Sequence, residues 1–251
     1  MAGVDGRVAL ITGGSRGIGL ATARLLASRG AKVMCVARDE QQLGATGFDY
    51  VVADLGTANG CDQAITKTER ELGPIDILIC NHGIGSAHER VLWEQKPEDW
   101  ERTIRINLDG PFHLSRLLLK GMTARGYGRC VFTSSTAGLV AEHAGSAYNS
   151  SKHGLIGLMR SVAEDGGAFG VTANAVLPGW VRTEMAERSA RQEAKDRGIT
   201  PAQVWEQRAA LYPPGRVATS EEVAEVIAFF ASEESSGVSG EAIRVALGSQ
   251  T

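Results

Sequence analysis

This chain has no excess of either charge, no long apolar run and no clustered cysteines. Its 26 basic and 29 acidic side chains leave a formal net charge of −3, with the two signs interleaved. That pattern offers no basic footprint for nucleic acid and no acidic tail. No stretch approaches the roughly 18 consecutive apolar residues of a membrane span. The first residues also lack the basic patch and apolar run of a signal peptide. Cys35, Cys61, Cys80 and Cys130 form no C-x-x-C, and such scattered cysteines suit a reducing cytoplasm. The five histidines make no H-x-x-H or H-E-x-x-H, so no metal is expected. No repeat, low-complexity tract or linker divides the sequence, and a 43% hydrophobic, 22% charged composition is that of a globular protein. One domain over residues 1–251 is expected.

What is present is alternation. Strand-like apolar runs read at Val8–Ile11, Lys32–Val36, Tyr50–Ala53, Ile75–Cys80, Arg129–Thr133, Val171–Val176 and Ala242–Val245. Helical patterns read at Gly17–Arg29, Gly60–Leu72, Glu98–Arg125, Ala147–Asp165 and Ser220–Ala231. Such alternation predicts an α/β fold, a parallel sheet with helices on both faces. The crossover between Arg38 and Asp54 is short and interrupted by Gly44 and Gly47, which leaves room for a stunted turn or short helix. The charged segment from Thr183 to Tyr212 is long enough to be either a functional lid, over residues 183–213, or a mobile excursion.

The first strand runs into Thr12-Gly13-Gly14-Ser15-Arg16-Gly17-Ile18-Gly19, followed by a helical stripe of Ile18, Ala21, Leu25 and Leu26. Glycines let the chain turn sharply and let a pyrophosphate approach the backbone. The helix N-terminus that follows supplies free N–H groups and a favourable dipole. Strand, glycine-rich turn and helix together are the context of a dinucleotide site.

Tyr148 and Lys152 stand four residues apart, on one face of a predicted helix. An ammonium beside a phenol is expected to favour the phenolate and lower the tyrosine pKa toward working pH. A phenol so tuned exchanges a proton with a carbonyl or alcohol oxygen, and Ser135 can hydrogen-bond the same oxygen. Ser134 and Thr136 are its alternatives, all three following the fifth strand. Asn107, Gly110 and Pro111 inside a long apolar helical pattern predict a local irregularity.

Taken together, Thr12-Gly13-x-x-x-Gly17-x-Gly19, Asn81-His82-Gly83, Asn107, Ser135, Tyr148-x-x-x-Lys152 and Pro178-Gly179 resemble the short-chain dehydrogenase/reductases over essentially the whole chain. The resemblance implies a single Rossmann-type, doubly wound parallel sheet of about seven strands. It implies a catalytic set of Asn107, Ser135, Tyr148 and Lys152, with the Asn107 backbone carbonyl holding a water that links Lys152 to solvent. Cofactor contacts are implied at Gly13, Ser15, Arg16, Gly17, Ile18, Gly19, Arg38, Asp54, Leu55, Asn81, Gly83, Tyr148, Lys152, Pro178, Gly179, Val181 and Thr183. Val181 and Thr183 are placed at the carboxamide and Asp54 at the adenine amine; a helix cap is the plainer role for Asp54. His82 departs from the usual Asn-Asn-Ala-Gly pattern and reads as a satisfied loop histidine, and His153 as structural. Val245-Ala246-Leu247-Gly248 departs from the usual Val-Asp-Gly-Gly.

An NAD site places an acidic residue about 20 positions past the glycine turn. Here Ala37 is followed by Arg38, and Arg16 lies in the turn, so two guanidinium groups can flank a 2′-phosphate. NADP(H) is therefore expected over NAD(H), with Asp39 and Glu40 as rival ribose-binding carboxylates. The expected activity is hydride transfer between NADP(H) and a small-molecule ketone or secondary alcohol. Val140, Trp180, Met185, Trp205 and Tyr212 are expected around the mouth. A 3-oxoacyl thioester reductase is the alternative within enzymes, weakened by Phe169 before Gly170 but supported by Arg125 and Arg129. A weakly catalytic NADP-binding sensor is the alternative outside them. The resemblance also implies a homotetramer built on the helices at Glu98–Arg125 and Ala147–Asp165.

Overall fold

A computed structural model describes residues 3–85 and 90–249. Seven parallel strands form one sheet in the order β3-β2-β1-β4-β5-β6-β7. They are β1 (Val8–Thr12), β2 (Lys32–Ala37), β3 (Asp49–Val52), β4 (Ile77–Cys80), β5 (Gly128–Thr133), β6 (Val171–Pro178) and β7 (Ala242–Val245). The inner strands are buried on both faces, which is why they read as continuous apolar runs without alternation. Successive residues nevertheless serve opposite cores. Leu10, Met34, Leu78 and Phe132 pack with one helical layer, whereas Ile11, Cys35, Ile79 and Val131 pack with the other.

The first layer comprises α3 (Ala58–Leu72), α5 (Gly110–Arg125) and α6 (Ser146–Gly167). The second comprises α1 (Gly17–Ser28) and α9 (Ser220–Ala231). The strand order reverses between β1 and β4, and in open α/β sheets the ligand crevice lies at such a switch point, beyond the carboxyl ends of the strands. The second crossover carries a short α2 (Glu40–Gly44), whose N-terminus Asp39 caps by accepting from the Gln42 N–H. All four cysteines are free and buried.

Two segments differ from the sequence expectation. The helix expected over Glu98–Arg125 is α4 (Pro97–Ile104), a π-turn at Arg105–Asp109, and then α5. The Gly110 N–H bonds the Arg105 carbonyl, and Pro111 has no N–H to give, so the ladder skips a step there. The excursion after β6 is a helical hairpin, α7 (Glu184–Arg197) and α8 (Pro201–Ala210). Ala186, Ala190 and Ala194 of α7 face Val204 and Trp205 of α8 in a small core of their own. A capping box of Thr200 and Gln203 starts α8.

Candidate active site

The glycine-rich turn is shaped by contact as well as by conformation. Gly13 and Gly17 have φ of 66° and 53°, a region that side chains disfavour. A Cβ on Gly19 would sit 2.2 Å from the Gly13 carbonyl oxygen and 2.6 Å from Asn81 Nδ2. The turn therefore packs backbone on backbone and presents the first N–H groups of α1 outward, a fitting cradle for a dinucleotide pyrophosphate. Asn81 braces it by donating from Nδ2 to the Thr12 carbonyl at 3.2 Å. Ser15 reaches toward Gln42 at 3.4 Å, and the Ile18 carbonyl accepts from Thr22 at 2.8 Å.

Several expected cofactor contacts are engaged within the protein. Arg16 forms an ion pair with Glu184, the first residue of α7. Arg38 is exposed at the end of β2. Asp54 accepts from the Gly56 N–H at 3.0 Å, while Thr57, not Asp54, caps α3; Leu55 is buried. Thr183 caps α7 by accepting from the Ala186 N–H. Val181 is buried and bridges Ala218. After Pro178, Gly179 leaves room for the Tyr212 hydroxyl, which would lie 2.4 Å from an added Cβ and accepts from the Trp180 N–H at 2.6 Å.

Helix α6 carries Tyr148 and Lys152 on one face, with the Lys152 Nζ 5.6 Å from the Tyr148 ring centroid. Lys152 is 5% exposed and donates to the Thr133 carbonyl at 3.0 Å. Of the three hydroxyls after β5, Ser134 donates to the Lys152 carbonyl at 3.0 Å and Thr136 is buried. Ser135 is left beside Tyr148. Asn107 sits in the π-turn, its Oδ1 accepting from the Ile84 N–H at 2.8 Å and its Nδ2 donating to Ser151 Oγ at 3.1 Å. Gly83 completes the cluster: a Cβ there would lie 3.2 Å from Asn107 Oδ1 and 3.7 Å from Lys152 Nζ. His153 bonds the Asn149 carbonyl within its own helix.

The electrostatics correct one expectation. Burial pushes the Tyr148 phenol up to about 12, with Ser135 pulling the other way. Burial also brings the Lys152 ammonium down to about 8. Desolvation outweighs the attraction expected between the pair, because both groups lie where the charged form loses water. His82 departs as well. Its Nδ1 lies 2.8 Å from Thr12 Oγ1, yet its buried Nε2 has no partner in good geometry, so it is not a fully satisfied loop histidine. Trp205 is buried in the hairpin core, whereas Val140 and Met185 are exposed. Thr133 and Ser151, which hold Lys152 and Asn107, were invisible in the sequence; only the helical phase of Ser151, three residues past Tyr148, hints at it. Among the described residues, no group of three or more His, Cys, Asp or Glu side chains could hold a metal ion, and no helix is long and apolar enough to cross a membrane.

The profile of the short chain dehydrogenase family matches residues 7–194. The 3-oxoacyl-acyl-carrier-protein reductase of Escherichia coli is 34% identical over 248 residues, covering 96% of each chain. An acetoacetyl-CoA reductase of Rhizobium meliloti is 35% identical over 242 residues, covering 94% of this chain and 95% of that one. Among solved structures, levodione reductase superposes with a TM-score of 0.92 at 30% identity over 97% of both chains. A variant actinorhodin polyketide ketoreductase with NADPH superposes with a TM-score of 0.90 at 32% identity, covering 99% of this chain and 98% of that one. The chain belongs to the short-chain dehydrogenases, oxidoreductases that act on carbonyl and hydroxyl groups with a nicotinamide cofactor.

Proposed function

We propose that this short-chain dehydrogenase moves a hydride between NADP(H) and a ketone or secondary alcohol, with Tyr148 as the acid/base. The observation that carries the reading is the convergence of Ser135, Tyr148, Lys152 and Asn107 beside the glycine-rich turn, at the carboxyl ends of the strands. The nicotinamide, when bound, supplies or accepts the hydride. Ser135 and Tyr148 bind the substrate oxygen, and Tyr148 transfers the proton. A phenol held neutral by burial is loaded as a donor for reduction. Lys152 sits where its charge meets the oxyanion as it develops. Pro111 stands four residues past Asn107 and has no N–H, so the α-helical bond to the Asn107 carbonyl cannot form. That leaves the carbonyl to hold a water for the relay.

NADP(H) over NAD(H) is supported by exposed Arg38 at the end of β2 and by Asp39 serving α2 as its cap. Arg16 contributes to a 2′-phosphate only after leaving Glu184. The α7–α8 hairpin serves as the substrate lid within a single domain. A cytoplasmic homotetramer fits the four free cysteines and the exposed Trp100 and Phe112 on α4 and α5.

The names of the curated relatives favour a second reading, reduction of a 3-oxoacyl thioester. Arg129, counted above as a docking residue for an acidic carrier, is 4% exposed and stacks on Tyr127, which favours a free ketone. The test is NADPH and NADH oxidation against ketones, diketones, quinones and 3-oxoacyl thioesters. Turnover with NADPH should fall roughly 10²–10⁴-fold in Tyr148→Phe, with NADPH binding retained. Undiminished turnover in the variant would refute the role of Tyr148, and thioesters outpacing every free ketone would replace the substrate class.

A further inference from the structure

The Thr12 hydroxyl lies at the end of β1, 3.0 Å from the Ile79 carbonyl and 2.8 Å from His82 Nδ1. It already accepts from the Asn81 and His82 N–H groups. Its one proton can serve Ile79 or His82, and the choice fixes the histidine tautomer. If Thr12 donates to Ile79, Nδ1 carries the ring proton and Nε2 is a bare lone pair. The group facing that nitrogen is the Ile106 carbonyl, another acceptor, so two lone pairs would be opposed in a buried space. If Thr12 donates to Nδ1 instead, Nε2–H turns toward the Ile106 carbonyl, short of full hydrogen-bond geometry. The Ile79 carbonyl still shares the Asn81 N–H at 3.1 Å, so that arrangement opposes no two lone pairs.

Ile106 needs such a donor. The Gly110 N–H that would close its α-helical bond goes to Arg105, and the next candidate, Pro111, has none. Gly110 also makes room for the ring, since a Cβ there would lie 2.7 Å from His82 Nε2. On the far side of the turn, Asn107 is fixed by Ile84 and Ser151.

We propose that His82, in its Nε2–H tautomer, is a strut between the Thr12 hydroxyl and the Ile106 carbonyl that holds the π-turn and thereby aims the Asn107 carbonyl. His82 is a positioning residue, and its effect on turnover rests on the proton relay proposed above. The strut ties the cofactor-side strand end to the relay. Protonation does not disturb it near neutral pH, because burial brings the imidazole down to about 4.

Two variants divide the ring between them. Asn places its Oδ1 where Nδ1 was and keeps only the Thr12 contact. Gln places its Nε2 where the ring Nε2 was and keeps the donor to Ile106. In ¹⁵N-labelled protein we expect the His82 resonances of a protonated Nε2 and a bare Nδ1. His82→Asn should speed amide exchange at Asp109 and Gly110 and lower kcat about tenfold, the range of one lost hydrogen bond. NADPH affinity should change less than about twofold in that variant. His82→Gln should recover most of both losses. A protonated Nδ1 overturns the proposal, as does His82→Asn losing NADPH affinity in step with kcat, or His82→Gln doing no better than His82→Asn. If the wild type turns over no ketone, the proposed function fails. The tautomer and the exchange rates then still decide whether the strut exists.

Discussion

The sheet and the α7–α8 hairpin are built on opposite principles. In the sheet, Phe132, Leu78, Ile77 and their neighbours are fully buried, and strand after strand is apolar on both faces. In the hairpin the buried residues of α7 are three alanines, and a cation does much of the binding. The guanidinium of Arg208 lies 3.5 Å from the Trp180 ring centroid and donates to Glu193 at 2.8 Å and Ser189 at 3.0 Å. Trp205 meets Trp180 edge to face at 6.5 Å. The two helices pack chiefly on each other, with Arg16–Glu184 as a clasp to the glycine-rich turn. Burial of large side chains gives a cooperative unit, whereas a small polar core opens at lower cost. Under the proposed function, the well-buried part carries the proton chemistry and the hairpin is the substrate lid.

The largest test breaks one region at a time. Phe132→Ala should cost about 3–5 kcal/mol of global stability in urea unfolding, from lost burial and the cavity left between the layers. Trp205→Ala should leave that transition within about 1 kcal/mol. It should instead speed amide exchange in α7 and α8 and raise the KM of a ketone substrate. A Trp205→Ala protein that unfolds as readily as Phe132→Ala would show that the hairpin belongs to the same cooperative unit.

A smaller effect sharpens the comparison through pH, because the titrating groups lie on the sheet side. Lys152 loses its proton near pH 8 in the native state, against 10.5 as an ordinary amine. Below pH 8 both native and unfolded chains carry the ammonium, and its burial cost is borne in full. Above pH 8 the native protein sheds the proton first, so the Lys152 contribution to stability rises with pH. That contribution should reach on the order of 2 kcal/mol by about pH 10. Other buried groups work against it in the same range: burial raises the thiols of Cys35, Cys61, Cys80 and Cys130 above their ordinary 9, so the unfolded chain ionises them first and stability is lost. The Tyr148 phenol is raised from 10 to about 12, and the unfolded chain ionises it first. Both proteins share the thiols, so the urea midpoint of the wild type minus that of Lys152→Met should grow as pH rises above 8. A difference that stays constant from about pH 7 to about pH 10 would overturn the Lys152 assignment.

The contrast also explains what the sequence revealed. Strands buried on both faces announce themselves as apolar runs, and a glycine-rich turn has one backbone use, so the sheet and the cradle were legible. The Asn107–Pro111 irregularity was legible because proline cannot give an N–H. The hairpin was not read as helical, since alanines at 186, 190 and 194 have the right spacing but are too small to stand out as a stripe. Burial of Trp205 against exposure of Met185 depends on how α7 and α8 roll against each other. The direction of the Tyr148 shift was hidden for a related reason. Spacing places a lysine beside a phenol, but only the packed structure says how much water each has lost.

The smallest effect is the most discriminating, because one motif occurs in both regions. Thr200 with Gln203 and Thr219 with Glu222 are both complete capping boxes. Their loss to alanine should cost about 1 kcal/mol in each helix. Thr219→Ala destabilises α9, which is packed against the sheet through Val223, Ile227 and Phe230, so its cost should appear as a lower global midpoint. Thr200→Ala destabilises α8, whose partners are α7 and Trp180, so its cost should appear as faster exchange in the hairpin with the global midpoint unmoved. Equal shifts of the midpoint would mean that sheet and hairpin unfold together. The ion pair of Arg16 with Glu184 would then be too weak to account for their coupling, since exposed pairs are worth at most about 1 kcal/mol, and the link would have to run through the buried Val181–Ala218 bridge.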